Sequence, residues 1–279
     1  MDYLFSPEKV LERLYLRHGV DLRGYRLKTL HRRLLRRLSA TGCRTFREYL
    51  DLLEGEPAEC ERLVASLTIK ASRFFRDARV FDLLAQEVLP HLAREKAARG
   101  EPYLSAWCAG CAQGQEAYSL AILLDRLRLG GCHPGLKIYV VATDIDSAAL
   151  DFAREGIYLE EMLEEVEGTL REAYFHHEGS RYLIDARLRA MVVFEYHDLT
   201  GCHNGGPAEG LFASYDLILC RNVLMYYTRE VQERVLLRLV NMLNLPGYLV
   251  LGRAEALPPG LLNRAGEIRP GTKIYCRRC

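Results

Sequence analysis

The sequence is poor in the features that would direct it to a membrane, to nucleic acid or to a disulfide framework. No apolar run approaches the roughly 18 residues needed to cross a bilayer. Met1-Asp2-Tyr3-Leu4-Phe5 has no basic segment followed by an apolar one, so a cytoplasmic protein without direct membrane insertion is expected. Neither sign of charge is in excess: 38 lysines and arginines face 37 acids, a formal net charge of +1 that gives no global pull toward polyanions. The nine cysteines are an odd number scattered along the chain, which fits reduced thiols. Two C-x-x-C pairs occur, Cys108/Cys111 and Cys276/Cys279. They are expected at opposite edges of a sheet, so no shared zinc or other metal site follows from them. Also missing are the dinucleotide signature G-x-G-x-x-G and the Lys-Ser or Lys-Thr of a P-loop, which disfavours a dinucleotide oxidoreductase.

What is present is organised around Tyr103-Leu104-Ser105-Ala106-Trp107-Cys108-Ala109-Gly110-Cys111-Ala112-Gln113-Gly114-Gln115-Glu116. A short apolar run ends in small residues and two glycines, then passes into a helical pattern with Leu120, Ala121, Leu123 and Leu124, as a buried strand does on turning into a packed helix. Gly110 and Gly114 allow a sharp bend and close approach to a ligand. Residues 136–144 read as a second strand ending in Asp144, where a Rossmann-like site holds ribose hydroxyls. Residues 191–199 read as a third such strand with Asp198 near its carboxyl end, and residues 215–227 as a fourth that runs into Arg221 and Asn222. All four ends face one crevice if the sheet is parallel and open. A nucleoside-containing cofactor is the expected occupant.

Around this centre the chain reads in order. Residues 1 to about 75 are helical, without strand alternation. Between Leu22 and Arg47 stand nine basic residues and no acid, with Leu27, Leu30, Leu34 and Leu38 as a core stripe. The flanking basic faces read either as a solvated surface or as a docking surface for an acidic partner, and their one-sidedness favours docking. Only Tyr25 and Phe46 are aromatic in that block, too few for base stacking, so no nucleic acid partner is expected. Residues 69–77 join the helical part to the α/β part, with Phe74 and Phe75 as core anchors that would aim Arg76. A helix is expected over 146–154, stopped by Gly156-Ile157-Tyr158. A single strand, 181–185, is expected within a polar stretch of 159–190. A glycine-rich loop occupies 201–210, a helix 230–243, and strands 248–252 and 273–276 close the chain.

Four stretches, in this order and spacing, resemble the CheR-type chemoreceptor glutamate methyltransferases over nearly the whole chain. They are Ser72-Arg73-Phe74-Phe75-Arg76-Asp77, Gly114-Gln115-Glu116-Ala117-Tyr118-Ser119, Thr143-Asp144-Ile145-Asp146 and Cys220-Arg221-Asn222-Val223-Leu224-Met225-Tyr226. The resemblance implies an α/β fold: an all-helical domain over 1–76, then an S-adenosylmethionine domain over 77–279. The latter would be a Rossmann-like class I methyltransferase sheet with a small β insertion at about 175–190. It further implies that Glu116 holds the amino end of S-adenosylmethionine and Asp144 its ribose, with Asp198 and Leu199 flanking the adenine. Arg221 and Asn222 would line the methionine side, Gly110 the turn, and Lys70, Ser72 and Arg76 the closing edge. Arg76 and Tyr226 would stand nearest the transferred methyl and the incoming glutamate, and the helix bearing Arg32, Arg33, Arg36 and Arg37 would face the receptor.

The implied chemistry is undemanding of acid or base. A glutamate with a pKa of roughly 4.3 is already a nucleophile at neutral pH. What remains is in-line positioning, which can supply roughly 7 to 11 kcal/mol.

The chain departs from the resemblance at several places. Lys70 stands where Asn is usual, Gln115-Glu116-Ala117 replaces Glu-Glu-Pro, Asp198 replaces Asn, and Gly252-Arg253-Ala254-Glu255 replaces Gly-His-Ser-Glu. The insertion around His176-His177-Glu178-Gly179-Ser180-Arg181-Tyr182 is short, so no grip on a receptor's C-terminal pentapeptide tether is expected. The resemblance thus implies a monomer acting on the cytoplasmic helical bundle of a chemoreceptor. The alternative is a catalytically silent regulatory protein that binds S-adenosylmethionine but never forms base-labile methyl esters.

Overall fold

The computed structural model describes residues 6–18, 20–67, 72–131, 135–201, 206–207 and 212–278. Four helices come first: α1 (Pro7–His18), α2 (Leu27–Thr41), α3 (Phe46–Gly55) and α4 (Pro57–Leu67). In α2, Leu30, Leu34 and Leu38 recur at i, i+4 and i+8 and are buried, whereas Leu27 in the first turn is 44% exposed and leaves the stripe. Gly42 ends this helix in the left-handed region (φ 77°), which a side chain would disfavour. Thr45 caps α3 by accepting from the Glu48 N–H at 3.2 Å.

The remaining chain alternates between helix and strand. Helix α5 (Ala78–Leu83) passes through a π turn (Leu84–Val88) into α6 (Leu89–Arg99), β1 (Tyr103–Ala109), α7 (Gln115–Leu129), β2 (Lys137–Asp144) and α8 (Ser147–Glu155). Then come β3 (Ile157–Leu159), α9 (Gly168–Tyr174), β4 (Phe175–Glu178), β5 (Arg181–Ile184), α10 (Ala186–Met191) and β6 (Val192–Tyr196). The last elements are β7 (Tyr215–Cys220), α11 (Arg229–Asn241), β8 (Leu243–Leu251), β9 (Ala265–Glu267) and β10 (Ile274–Arg277).

Seven strands form one sheet in the order β6-β2-β1-β7-β8-β10-β9, parallel through β8 and antiparallel in the final pair. Alternation along β1 sends Leu104, Ala106 and Cys108 into one apolar cluster with Ala117, Leu120 and Ala121 of α7. Trp107 and Ala109 point the other way, into a cluster shared with Val235 and Leu239 of α11 and with Leu30 and Leu34 of α2. The N-terminal helices therefore share a continuous core with one face of the sheet, and that packing holds them over the strand ends.

Three differences from the sequence reading have physical causes. The small sheet begins at Ile157 rather than near residue 175: β3, β5 and β4 form a three-stranded antiparallel unit in the order β3-β5-β4. Gly156, left-handed at φ 66°, ends α8, and Tyr158 packs against Phe74 and Phe152, so three residues suffice for a strand. Met191 closes α10, and β6 stops at Tyr196, leaving Asp198 two residues past the strand in a turn. Pro246 and Gly247 lie within β8, where pairing with β7 shifts register.

Of the glycine-rich loop, Gly201, Gly206 and Pro207 are described; the rest lies outside the described residues. Cys108 in β1 and Cys276 in β10 are separated by β7 and β8, and Cys279 lies outside the described residues. Burial pushes the Cys108 and Cys111 thiols well up, which disfavours the thiolate a metal would need. No described helix is long and apolar enough to cross a membrane.

Candidate active site

The glycine turn after β1 is held by its neighbour strand. The N–H groups of Gly110 and Cys111 both donate to the Thr143 carbonyl, at 2.8 and 2.9 Å. Gly110 is left-handed (φ 80°), and a Cβ there would come within 2.4 Å of Val223, so no other residue fits. The next residue but one, Ala112, donates its N–H to Asp144 Oδ2 at 2.8 Å, while the Asp146 N–H donates to Oδ1 at 3.0 Å. Asp144 thus fixes the turn and lines the cleft from below. Burial raises its pKa against these two hydrogen bonds.

On the far side of the turn a buried clasp forms. The Arg221 side chain is fully buried; Nη1 donates to Glu116 Oε2 at 2.8 Å, and Nη2 donates to Asp77 Oδ2 at 2.6 Å and to the Arg76 carbonyl at 2.9 Å. One guanidinium therefore ties β7 to the first turn of α7 and to the linker before α5. Its planar fork suits that task better than a point charge. Burial raises the Glu116 pKa and Arg221 opposes the shift. Phe74 fixes the linker by edge contacts with Tyr158 and Phe175, and the Phe75 N–H donates to Ser119 Oγ at 2.9 Å.

Beyond Arg221, Asn222 is left-handed (φ 60°), and its N–H donates to Glu255 Oε2 at 2.9 Å. Glu255 also accepts from the Gly252 N–H at 2.7 Å. A Cβ on Gly252 would meet the Asn222 N–H at 2.7 Å, so the loop keeps Gly252 and Glu255 for contact while the substituted Arg253 and Ala254 are exposed. At the third strand, Asp198 Oδ1 accepts from both the N–H and the hydroxyl of Thr200 at 2.7 Å, and burial raises its pKa with Asp21 adding to the rise.

The structure brings Ser72, Arg76, Gly110, Glu116, Asp144, Asp198, Leu199, Arg221, Asn222 and Tyr226 to the wall of one cleft. Lys70 lies outside the described residues. The four arginines of α2 separate into two pairs. Arg33 donates to the Ser66 and Leu67 carbonyls at 3.2 and 3.0 Å, and Arg37 pairs with buried Glu59, which also accepts from Tyr49. Arg32 and Arg36 are exposed.

Sequence reasoning missed Tyr25, Thr29, His197 and Tyr227, which line the same cleft, and Asp77 and Glu255, which support it. Asp77, Glu255, His197 and Tyr227 carried a signal, since they lie within stretches already singled out, whereas Tyr25 and Thr29 carried none.

The residues present suit an adenosyl amino acid. Three carboxyls, Glu116 buried and Asp144 and Asp198 half-buried, are each held above the usual pKa and face the cleft from three strand or helix ends. Two buried nitrogens, Arg221 Nε and His197 Nε2, have no hydrogen-bond partner among the described residues. A parallel sheet with a terminal antiparallel pair, its strand ends bearing acids beside a left-handed glycine turn, defines a Rossmann-like methyltransferase.

The chain belongs to the CheR methyltransferase family. The family model for the CheR methyltransferase all-alpha domain matches residues 8–68, and that for its SAM binding domain matches residues 70–269. S-adenosylmethionine is accordingly the cofactor. The chain is 35% identical to chemotaxis protein methyltransferase 2 of Pseudomonas aeruginosa over 253 residues, 89% of this chain and 85% of that one. It is 31% identical to a chemotaxis protein methyltransferase of Listeria innocua over 258 residues, 92% of this chain and 90% of that one. It is also 34% identical to an uncharacterized 104.1 kDa protein of Rhodobacter capsulatus, 89% of this chain but only 25% of that longer one.

Proposed function

We infer that this methyltransferase esterifies glutamate side chains on the cytoplasmic helical bundle of chemoreceptors, as part of signal adaptation. One observation carries the reading: Arg76 and Tyr226 line the same cleft as the acids Glu116, Asp144 and Asp198, and Thr29 of basic α2 lines it too. Bound S-adenosylmethionine supplies a methyl on a sulfonium leaving group. Glu116, Asp144, Asp198, Leu199, Arg221 and Asn222 would hold it, and Gly110 would admit it. The glutamate arrives ionised, so no side chain need take its proton.

The cations of Arg76 and Arg33 both act on Tyr226, and they can orient a carboxylate as it enters. Burial raises the Tyr226 pKa, so its hydroxyl stays a donor at neutral pH and can hold the approach line. Binding the carboxylate too tightly would slow attack, which fits a cationic rim better than a closed ion pair. Arg32 and Arg36 on the outer face of α2 would meet the acidic receptor surface. The tight turn at Gly179-Ser180 between four-residue strands offers little grip for a tether peptide.

The test is transfer of labelled methyl from S-adenosylmethionine to receptor cytoplasmic fragments, scored as methanol released by base. Arg76→Ala and Tyr226→Phe are each expected to lower kcat by on the order of 10²-fold, with S-adenosylhomocysteine affinity better kept in Tyr226→Phe. Tight cofactor binding with no base-labile ester on any fragment would point instead to a silent regulator.

A further inference from the structure

A pair of buried phenols in the cleft has no part in the chemistry above. Tyr25 precedes α2, and Tyr227 follows the polar end of β7. Their rings meet edge to face at 4.7 Å, their hydroxyls stand 3.5 Å apart, and the residues are 9% and 3% exposed. Backbone pairing fixes both in place. The Arg26 N–H donates to the Tyr226 carbonyl at 2.8 Å and the Thr228 N–H to the Gly24 carbonyl at 2.9 Å, forming a short antiparallel bridge across 202 residues of sequence. Arg26 Nε reinforces it by donating to the Tyr227 carbonyl at 3.1 Å.

Two phenols carry two hydroxyl protons, and a single contact at the 3.5 Å limit uses one of them weakly. The other is left for an acceptor in the cleft. The carboxylates that act most on Tyr25 are Asp144 and Asp198, at the nucleoside side. Burial with those acids nearby keeps the phenol protonated and therefore a donor.

We propose that Tyr25, supplied by the N-terminal helical part, is a cofactor-positioning residue whose hydroxyl donates to a ring nitrogen or ribose oxygen of the bound nucleoside, with Tyr227 orienting it. This rests on the cleft being the S-adenosylmethionine site. It makes the helical part a wall of the cofactor site as well as a receptor-facing surface. Because α2 begins at Leu27, two residues after Tyr25, cofactor binding and docking on α2 share one short rigid connection. By reciprocity, whatever a docked receptor does to cofactor affinity, the cofactor does equally to receptor affinity.

Calorimetry on the full chain tests this, using S-adenosylhomocysteine and, as a probe of the nucleoside end alone, 5′-methylthioadenosine. Tyr25→Phe keeps the ring and removes the hydroxyl. It should weaken both ligands by the same factor of about five to ten, leave the melting temperature of the cofactor-free protein unchanged, and raise KM for S-adenosylmethionine while kcat stays within about twofold. Tyr227→Phe should weaken both ligands by a smaller factor. Wild-type affinity in Tyr25→Phe, with affinity lost in Asp144→Ala, would make Tyr25 mere packing and overturn the proposal while leaving the cleft intact. A loss confined to S-adenosylhomocysteine would overturn the nucleoside contact. Unchanged affinity in Asp144→Ala as well would remove the cleft assignment itself.

Discussion

The cleft has two unlike walls. The sheet wall is built from acids taken out of water: Glu116 is buried, Asp144 and Asp198 are half-buried, and their pKa values are raised. A carboxyl with a raised folded pKa stabilises the fold only below its unfolded pKa, so at neutral pH each is a destabilising element. The helical wall has one phenol, Tyr25, inside and cations outside. Of its cations, Arg33 and Arg37 hold α4 to α2, and Arg32 and Arg36 stand in solvent. On the function proposed above, cofactor recognition opposes stability, whereas substrate docking is nearly independent of it. Mutations on the two walls should therefore separate binding, folding and encounter.

The largest effect should follow from Arg221→Ala. It strands Glu116 and Asp77 without their shared cation and frees the Arg76 carbonyl. Removing one partner of a buried ion pair typically destabilises by about 3–5 kcal/mol, far more than the intact pair contributes. Chemical denaturation should register that loss together with loss of S-adenosylhomocysteine binding. A stable Arg221→Ala protein that still binds would mean the clasp is not what ties β7, α7 and the linker together.

The two walls were unequally legible in the sequence. Gly110, Asp144 and Asp198 could be placed because a strand-to-turn junction announces itself locally, by an apolar run ending in glycine or acid. Tyr25 and Tyr227 could not be paired, because nothing within either local stretch encodes a bridge to a partner 202 residues away. The split within α2 was equally hidden. Periodicity places Arg32, Arg33, Arg36 and Arg37 on the flanks of the leucine stripe alike, and only the position of α4 decides that Arg33 and Arg37 turn inward to Leu67 and Glu59. Strand β3 was lost for a different reason, since three residues are too few to show alternation.

A middle-sized effect should come from Asp198→Asn. The side-chain oxygen of Asn can still accept from the Thr200 N–H and hydroxyl, while the buried charge near Asp21 disappears. Because the folded pKa of Asp198 lies above its unfolded value, the native state loses this contribution as pH rises through the folded pKa. The variant should therefore melt roughly 2–4 °C higher at pH 7 to 8, with the gain shrinking toward nil near pH 4. His197 works with the opposite sign. Burial, helped by Arg238, pushes its pKa down to about 4, so both proteins should lose stability as pH falls from about 6.5 toward 4. Melting curves across that range distinguish the two: a gain from Asp198→Asn that persists undiminished at pH 4 would mean that charge burial is not its source.

The smallest effect, and the one that bears most directly on the receptor, should come from Arg32→Ala with Arg36→Ala. Both side chains are exposed, so folding should be unaffected and the melting temperature unchanged to within about 1 °C. Their contribution is to encounter: two cations fewer on the face toward an acidic bundle should lower kcat/KM for receptor fragments by roughly three- to tenfold at low salt. The deficit should fade near 0.5 M salt, on the order where screening shortens the reach of surface charge to a few ångströms. Methylation of a short glutamate peptide, which cannot span from α2 to Tyr226, should not change. A defect that survives high salt, or that appears equally with the short peptide, would place the action of these arginines inside the cleft and erase the division between a wall that recognises cofactor and a face that gathers substrate.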